Sequence, residues 1–178
     1  FLEKMDVKVL EAFDFLIDFD KKKDARGEWV QNVRNSGELY VYHPLAVLRT
    51  LVEEFNFDPK DPRFTDLFVA SILHDTFEDE FEGKGKNFWK ENGRVLPEIN
   101  RRFNPRVVDM IEGMTKDKKY IMDGKEKRGV VDDEKTFNNV MRLALVNPGI
   151  LQIRLADRLH NWRTIEGMKP AKKAESVR

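Results

Sequence analysis

Apolar positions recur along most of this chain with the spacing of helices rather than the alternation of strands. Residues 3–20 set Val7, Leu10, Phe13, Leu16 and Ile17 among aspartates and lysines, and Lys21-Lys22-Lys23 ends that pattern as a solvated helix end. Gly37 marks a bend, and the aromatic alternation from Leu39 to Tyr42 reads as an extended approach to the next helix. That helix begins at His43-Pro44 and carries Leu45, Val47, Leu48, Leu51, Val52 and Phe55 on one side. Pro44 suits a first helical position, which pushes His43 off helical backbone angles. Residues 56–64, with Asp58-Pro59 and Asp61-Pro62, form a loop, and Thr65 or Asp66 caps the helix that follows.

That next helix is apolar on nearly every side, from Leu67 through Leu73, and so reads as a buried one. Residues 80–96 form a charged, glycine-containing insertion with Phe81, Phe88 and Trp89. A short helix is expected over residues 97–103, and Asn104-Pro105 opens another with Val107, Val108, Met110, Ile111 and Met114. The lysine-, aspartate- and glycine-rich residues 116–133 read as a mobile connection. Residues 134–146 return to helical spacing through Phe137, Val140, Met141, Leu143, Leu145 and Val146, and Asn147-Pro148-Gly149 breaks them. The last helix spans about 150–166, with Ile150, Leu151, Ile153, Leu155, Ala156, Leu159 and Trp162. No series of strands and no repeat interrupts this pattern, so the expected fold is all-α, a compact multi-helix bundle forming one domain over residues 1–178.

Composition narrows the function classes. Lysine plus arginine numbers 32 and aspartate plus glutamate 32, so no overall field draws nucleic acid or an acidic membrane. No apolar run approaches a membrane span and no secretory leader pattern is present, so a cytoplasmic protein is expected. Cysteine is absent, which removes disulfides and thiolate metal sites and leaves nitrogen and oxygen as ligands.

The chemistry sits where the buried helix ends, in Ile72-Leu-His-Asp-Thr-Phe-Glu-Asp79. His74 and Glu78 are four apart, as are Asp75 and Asp79, so each pair projects from neighbouring helical positions. Ionisable groups at the end of a buried helix are costly unless paired. Two readings stand: an acidic turn dissolving into solvent, or a metal with an activated water. The chain's only other histidines are His43 and His160, and the last helix carries Asp157, Asn161 and Thr164 as a polar stripe opposite Leu155, Leu159 and Trp162. Asp157 needs a partner, either Arg154 or Arg158, or a metal. Two imidazoles with two carboxylates suit Mn²⁺, Fe²⁺ or Zn²⁺, with Glu78 and Asp79 one turn beyond to hold or deprotonate a water.

These residues lie in blocks that together resemble the HD superfamily of metal-dependent phosphohydrolases, and more narrowly the RelA/SpoT-type hydrolase domain. The blocks are Arg34-Asn-Ser-Gly-Glu-Leu-Tyr40 leading into Tyr42-His-Pro-Leu-Ala-Val47, then Ile72 to Asp79, Ile111-Glu-Gly-Met-Thr-Lys116, and Arg154-Leu-Ala-Asp-Arg-Leu-His-Asn-Trp-Arg-Thr164. The resemblance spans residues 34–164 and implies hydrolysis of the 3′-pyrophosphate of guanosine tetra- or pentaphosphate. It implies His43, His74, Asp75 and Asp157 as ligands of a divalent metal, typically Mn²⁺, and Glu78 and Asp79 as the pair activating water. It implies Arg34 packing on guanine, polar nucleotide contacts from Ser36, Asn161 and Thr164, and phosphate neutralisation by Lys116. His160 matches a recurrent family position and is expected to pack or hydrogen-bond, with Arg158 and Arg163 as structural partners of acids. Basic residues such as Arg34, Arg49, Lys116 or Arg158 are expected near the pocket. The insertion and residues 116–133 depart from the family pattern and bear on the substrate. The alternatives are an HD nucleotidase acting on another nucleotide, and a regulatory domain that binds a nucleotide without turnover.

Overall fold

A wholly apolar stretch can be satisfied only if other elements cover it from several sides, and that requirement shapes this chain. The computed structural model describes residues 1–34, 37–81, 95–114, 119–122, 125–128 and 133–164. The elements in order are α1 (Val7–Phe19), β1 (Lys21–Lys23), β2 (Trp29–Gln31), α2 (Tyr42–Arg49), α3 (Thr65–Leu73) and α4 (Thr76–Phe81). They continue with α5 (Val95–Arg102), α6 (Pro105–Met114), β3 (Lys119–Met122), β4 (Lys125–Arg128), α7 (Asp133–Val146) and α8 (Pro148–Arg163). Every residue of α3 from Leu67 to Leu73 is buried, and α1, α2, α6 and α8 all pack against it. Helix α8 also packs on α2, α6 and α7, so α3 and α8 share the centre of an all-α bundle. Each large apolar side chain buried there, such as Phe68, Ile72, Leu73 or Ile153, contributes roughly 1.5–3 kcal/mol.

Two short antiparallel hairpins decorate the helices, pairing Lys22 with Val30 and Tyr120 with Lys127. The first replaces the expected solvated end of α1. Asp24 accepts hydrogen bonds from the amides of Arg26 and Glu28, and Gly27 adopts a φ of 82°, so the chain reverses and Lys23 returns over the Trp29 ring. The second hairpin lies within residues 116–133, where only a connection was expected.

The core face of α1 keeps Phe13 and Leu16 from the expected stripe but is rotated away from Val7, Leu10 and Ile17. Val9, Ala12, Phe13, Leu16 and Phe19 are buried, whereas Val7, Leu10 and Ile17 are exposed, because α1 presents the former stripe to α3. Neither Thr65 nor Asp66 caps α3. Phe64 precedes it, at the end of a 3₁₀ turn (Pro62–Phe64) whose own entry is capped by Asp61. Asp66 instead accepts from Asn104 Nδ2 at 2.7 Å. Asn104 and Asn147 do cap α6 and α8, accepting from Val107 and Gly149 amides at 3.2 Å each. Helix α5 starts at Val95, placing Pro97 in the first turn, where its missing N–H has no intrahelical partner to lose. On α7, Leu145 and Val146 are exposed while Ala144 is buried; on α8, Leu155 and Trp162 are exposed and Ile150, Ile153 and Ala156 face inward. Glycines permit the close approach of α6 and α8: a Cβ on Gly149 would meet Met110 Sδ at 2.8 Å. Among the described residues no helix is long and apolar enough to cross a membrane.

Candidate metal centre

Three elements bring the chemistry together: the first turn of α2, the α3–α4 junction and the middle of α8. His43 lies inside α2 in helical conformation rather than ahead of it. The turn at Leu39–Tyr42 already feeds the helix, with the His43 amide donating to the Tyr40 carbonyl, so Pro44 falls in the first turn and does not unseat His43. His43 is 2 % exposed and His74 6 %. At the end of α3, side chains take over backbone carbonyls: Thr76 Oγ1 donates to Leu73 O at 2.6 Å, and His74 Nδ1 lies 2.7 Å from Ser71 O. Those bonds break the helix at His74-Asp75 and start α4. The Asp79 amide still donates to the Asp75 carbonyl at 2.8 Å, which keeps the spacing of that pair helical.

His43 Nε2 lies 3.2 Å from Asp157 Oδ1 and 3.5 Å from Asp75 Oδ2, and His74 Nε2 lies 3.2 Å from Asp75 Oδ1 and 3.9 Å from Asp157 Oδ1. Ligand atoms of His43, His74 and Asp157 all fall within 4.8 Å of one another, and Asp75 closes the group beside both imidazoles. The donor set tests whether a metal fits. A carbonyl can only accept, so His74 Nδ1 carries the proton there and the Nε2 lone pair points into the cluster. That Nε2 is buried and has no hydrogen-bond partner, although carboxylate oxygens stand close by. A buried ring nitrogen facing carboxylates is satisfied by a proton or by a metal cation, and two imidazoles with two carboxylates form a ligand set suited to a divalent metal.

The titrations follow from the same geometry. Burial would raise the Asp157 carboxyl, but the His43 hydrogen bond, the His74 charge and Arg154 hold it below the usual carboxylate range. Burial depresses His43 against the pull of Asp157 and Asp75. Burial also opposes charge on His74, yet the carboxylates of Asp75 and Asp157 and the Ser71 carbonyl outweigh it and raise that group.

Around this centre, Asp79 is buried and Glu78 half-buried. The Asn161 amide donates to Asp157 Oδ1 at 2.6 Å, and Thr164 Oγ1 bonds back to His160 O at 3.1 Å on its own helix. Arg34 sits on the turn closed by its amide to Glu38 O at 2.8 Å, with Gly37 at a φ of 87°, and its charge acts on Tyr40, His43 and His160. Ser36 and Lys116 lie outside the described residues. Arg163 forms a two-pronged ion pair with Glu54 at 2.6 and 2.8 Å, fastening the end of α8 to the π-helical turn Thr50–Glu54. Arg49 pairs with Glu53 on the surface of α2. Of the two arginines near Asp157 in sequence, Arg154 faces it together with Glu78 and Asp75, and burial lowers its pKa first; Arg158 is exposed.

His160 packs and hydrogen-bonds as expected, its partner being His43, whereas the Tyr40 contact has no counterpart among the expected site residues. His160 Nδ1 lies 2.8 Å from His43 Nδ1. The Tyr40 hydroxyl meets Asp79 Oδ2 and stands 3.3 Å from Asp75 Oδ2. The one available clue to Tyr40 is its position three residues before His43, which becomes a shared turn.

A profile of the HD domain family matches residues 23–178, and the chain belongs to that family. Its relatives are proteins of the RelA/SpoT type. It is 32 % identical over 146 residues to a probable GTP pyrophosphokinase of Mycobacterium leprae, covering 82 % of this chain and 15 % of that protein. It is 27 % identical over 155 residues to the bifunctional (p)ppGpp synthase/hydrolase SpoT of Escherichia coli, covering 86 % and 19 %. A guanosine-3′,5′-bis(diphosphate) 3′-pyrophosphohydrolase of Vibrio cholerae is 29 % identical over 155 residues, with 86 % and 19 % covered. The chain thus spans 19 % or less of the length of each of these proteins.

Proposed function

We propose that the chain is a metal-dependent phosphohydrolase that removes the 3′-pyrophosphate of guanosine tetra- or pentaphosphate, giving GDP or GTP and pyrophosphate. The observation that carries this reading is the convergence of His43, His74, Asp75 and Asp157 on one point, with the buried Nε2 of His74 lacking any partner there. These four residues would hold a divalent cation, Mn²⁺ by preference, which when bound supplies Lewis-acid polarisation of a phosphoryl oxygen and a lowered water pKa. Glu78 and Asp79, one helical turn on, orient the attacking water and take its proton. Water adds at the phosphorus attached to the ribose 3′ oxygen, that P–O bond breaks, and the 3′ oxygen gains a proton as pyrophosphate leaves.

Guanine stacks on Arg34, whose planar guanidinium suits a base face and whose charge reaches the site. Ser36, Asn161, Thr164 and Lys116 contact sugar and phosphates. Asn161, which donates to Asp157, joins that role to steadying a ligand. The choice of substrate draws support from relatives named as (p)ppGpp hydrolases. The proposed activity is a cytoplasmic one.

The test is direct. Mn²⁺-loaded protein given guanosine tetraphosphate releases pyrophosphate and GDP, read by ion-exchange chromatography. Hydrolysis of an ordinary nucleotide with none of the tetraphosphate would replace this reading with a nucleotidase, and tight binding without turnover would replace it with a regulatory domain. Asp79→Asn is expected to lower kcat by about 10²–10⁴-fold with Mn²⁺ still bound. Loss of the metal in that variant would make Asp79 a ligand instead.

A further inference from the structure

The α3–α4 junction places a metal-ligand candidate, Asp75, and a water-activating candidate, Asp79, within reach of one phenol. Tyr40 is not free to move. Its amide donates to Asn32 O at 3.1 Å, at the base of the first hairpin, and its carbonyl accepts from the His43 amide at 3.2 Å, in the first turn of α2. Its hydroxyl therefore enters the site from a backbone fastened on both sides. There it touches Asp79 Oδ2 and lies 3.3 Å from Asp75 Oδ2. A phenol offers one proton and two acceptor lone pairs. It cannot donate to both carboxylates, and an ionised carboxylate has nothing to donate in return. Asp79 makes the closer contact and takes the proton. Toward Asp75 the phenol then presents a lone pair, an arrangement relieved when the Asp75 oxygens are given to a cation.

We propose that Tyr40 is a positioning residue: its hydroxyl fixes the Asp79 carboxylate beside Asp75, so that Asp79 is already aimed when the metal centre is filled. This rests on the hydrolase reading above and assigns the orientation of its acidic pair to a residue outside that pair. Asp79 is buried, and Tyr40 holds one of its carboxylate oxygens. Without the hydroxyl that oxygen loses its hold, and the water Asp79 directs loses alignment, which is a cost in kcat rather than in binding.

Tyr40→Phe removes only the hydroxyl and keeps the ring, and its thermal melting, compared with the wild type, checks that the fold is intact. The expected result is a kcat lower by about 10- to 100-fold, the scale of losing one hydrogen bond to a charged group. KM for guanosine tetraphosphate and the Mn²⁺ affinity should stay within about twofold, as an effect confined to orientation requires. In the Asp79→Asn background the same substitution should lower kcat little further, because both changes disable one device. Unchanged kcat in Tyr40→Phe overturns the proposal. So do losses that multiply in the double variant, or a collapse in Mn²⁺ affinity, which would show that Tyr40 acts through Asp75. A readout independent of substrate separates this from failure of the hydrolase reading. In metal-free protein carrying tyrosine labelled with ¹³C at Cζ, the Tyr40 signal should shift in Asp79→Asn and far less in Glu78→Gln. Equal or absent shifts would refute the Tyr40–Asp79 brace even if the wild type hydrolyses the nucleotide.

Discussion

Replacing His160 by phenylalanine asks how far a neighbour one hydrogen bond removed from the proposed ligands controls metal affinity. His43 Nδ1 and His160 Nδ1 stand 2.8 Å apart, with ring centroids at 4.8 Å, and the His43 side chain is 1 % exposed. Two ring nitrogens at that distance share one proton. If His43 gives Nε2 to a metal, its proton sits on Nδ1 and His160 must accept it. Burial, followed by the charges of His43 and Arg34, pushes His160 down to about 4, so at neutral pH its lone pair is available. Phenylalanine fills a similar volume but cannot accept. In the loaded state the buried Nδ1–H of His43 is then left without a partner, at a cost of about 1–3 kcal/mol. The metal-free chain escapes much of that cost, because His43 can carry its proton on Nε2 toward Asp157 Oδ1 at 3.2 Å. The penalty therefore falls on binding, and Mn²⁺ affinity should weaken by roughly 5- to 150-fold. The assay is Mn²⁺ titration of chelator-stripped protein, by calorimetry or by the electron paramagnetic resonance of free Mn²⁺. His160→Gln, which offers a carbonyl oxygen, should recover part of the loss. An affinity within twofold of wild type for His160→Phe would refute the reasoning and leave His43 needing no acceptor.

The same imidazole pair makes the metal-free chain sensitive to acid. His160 is lowered from 6.5 to about 4 and His43 is lowered as well, each chiefly by burial. The unfolded chain thus binds more protons than the folded one in that window, so stability rises with pH there and is lost as pH falls from about 6.5 toward about 4. Urea unfolding at several pH values should show that slope, and His160→Phe should flatten it; a flat wild-type profile would contradict it. At the α6–α8 contact, Gly149→Ala puts a Cβ 2.8 Å from Met110 Sδ and 3.1 Å from both Leu67 Cδ1 and Asn147 Oδ1. With several neighbours to displace, it should cost about 1–3 kcal/mol, read as a lower Tm. Gly113→Ala meets Ile150 Cδ1 at 2.5 Å within the core and should likewise lower Tm.

How much of this was legible in the sequence depends on the range of the interaction. Helix α3 was plain because a run apolar on all sides has few other uses, and the cap at Asn104 is a local device that needs no tertiary partner; Asn147, read only as part of a break, caps α8 in the same way. The face of α1 was legible only in part: Phe13 and Leu16 are buried as expected, but Val7, Leu10 and Ile17 are as apolar as Val9 and Ala12, and only the placement of α3 chooses between them. Helix α8 held a readable pattern that a split into polar and apolar faces obscures. Ile150, Ile153, Asp157 and His160 follow one another at three- and four-residue spacing, so Asp157 and His160 continue the buried stripe instead of opposing it. A stripe that changes from buried apolar to half-buried ionisable residues marks where a helix passes from core to site. The partners of those ionisable groups are another matter. Tyr40 reaches Asp75 across 35 residues and His43 reaches His160 across 117, distances at which spacing carries no information. Local pattern can therefore nominate His74, Asp75, Glu78 and Asp79 together, since one helical turn joins them. The residues that hold such a group in working orientation come from other elements, and only the packing of α2, α3 and α8 discloses which they are.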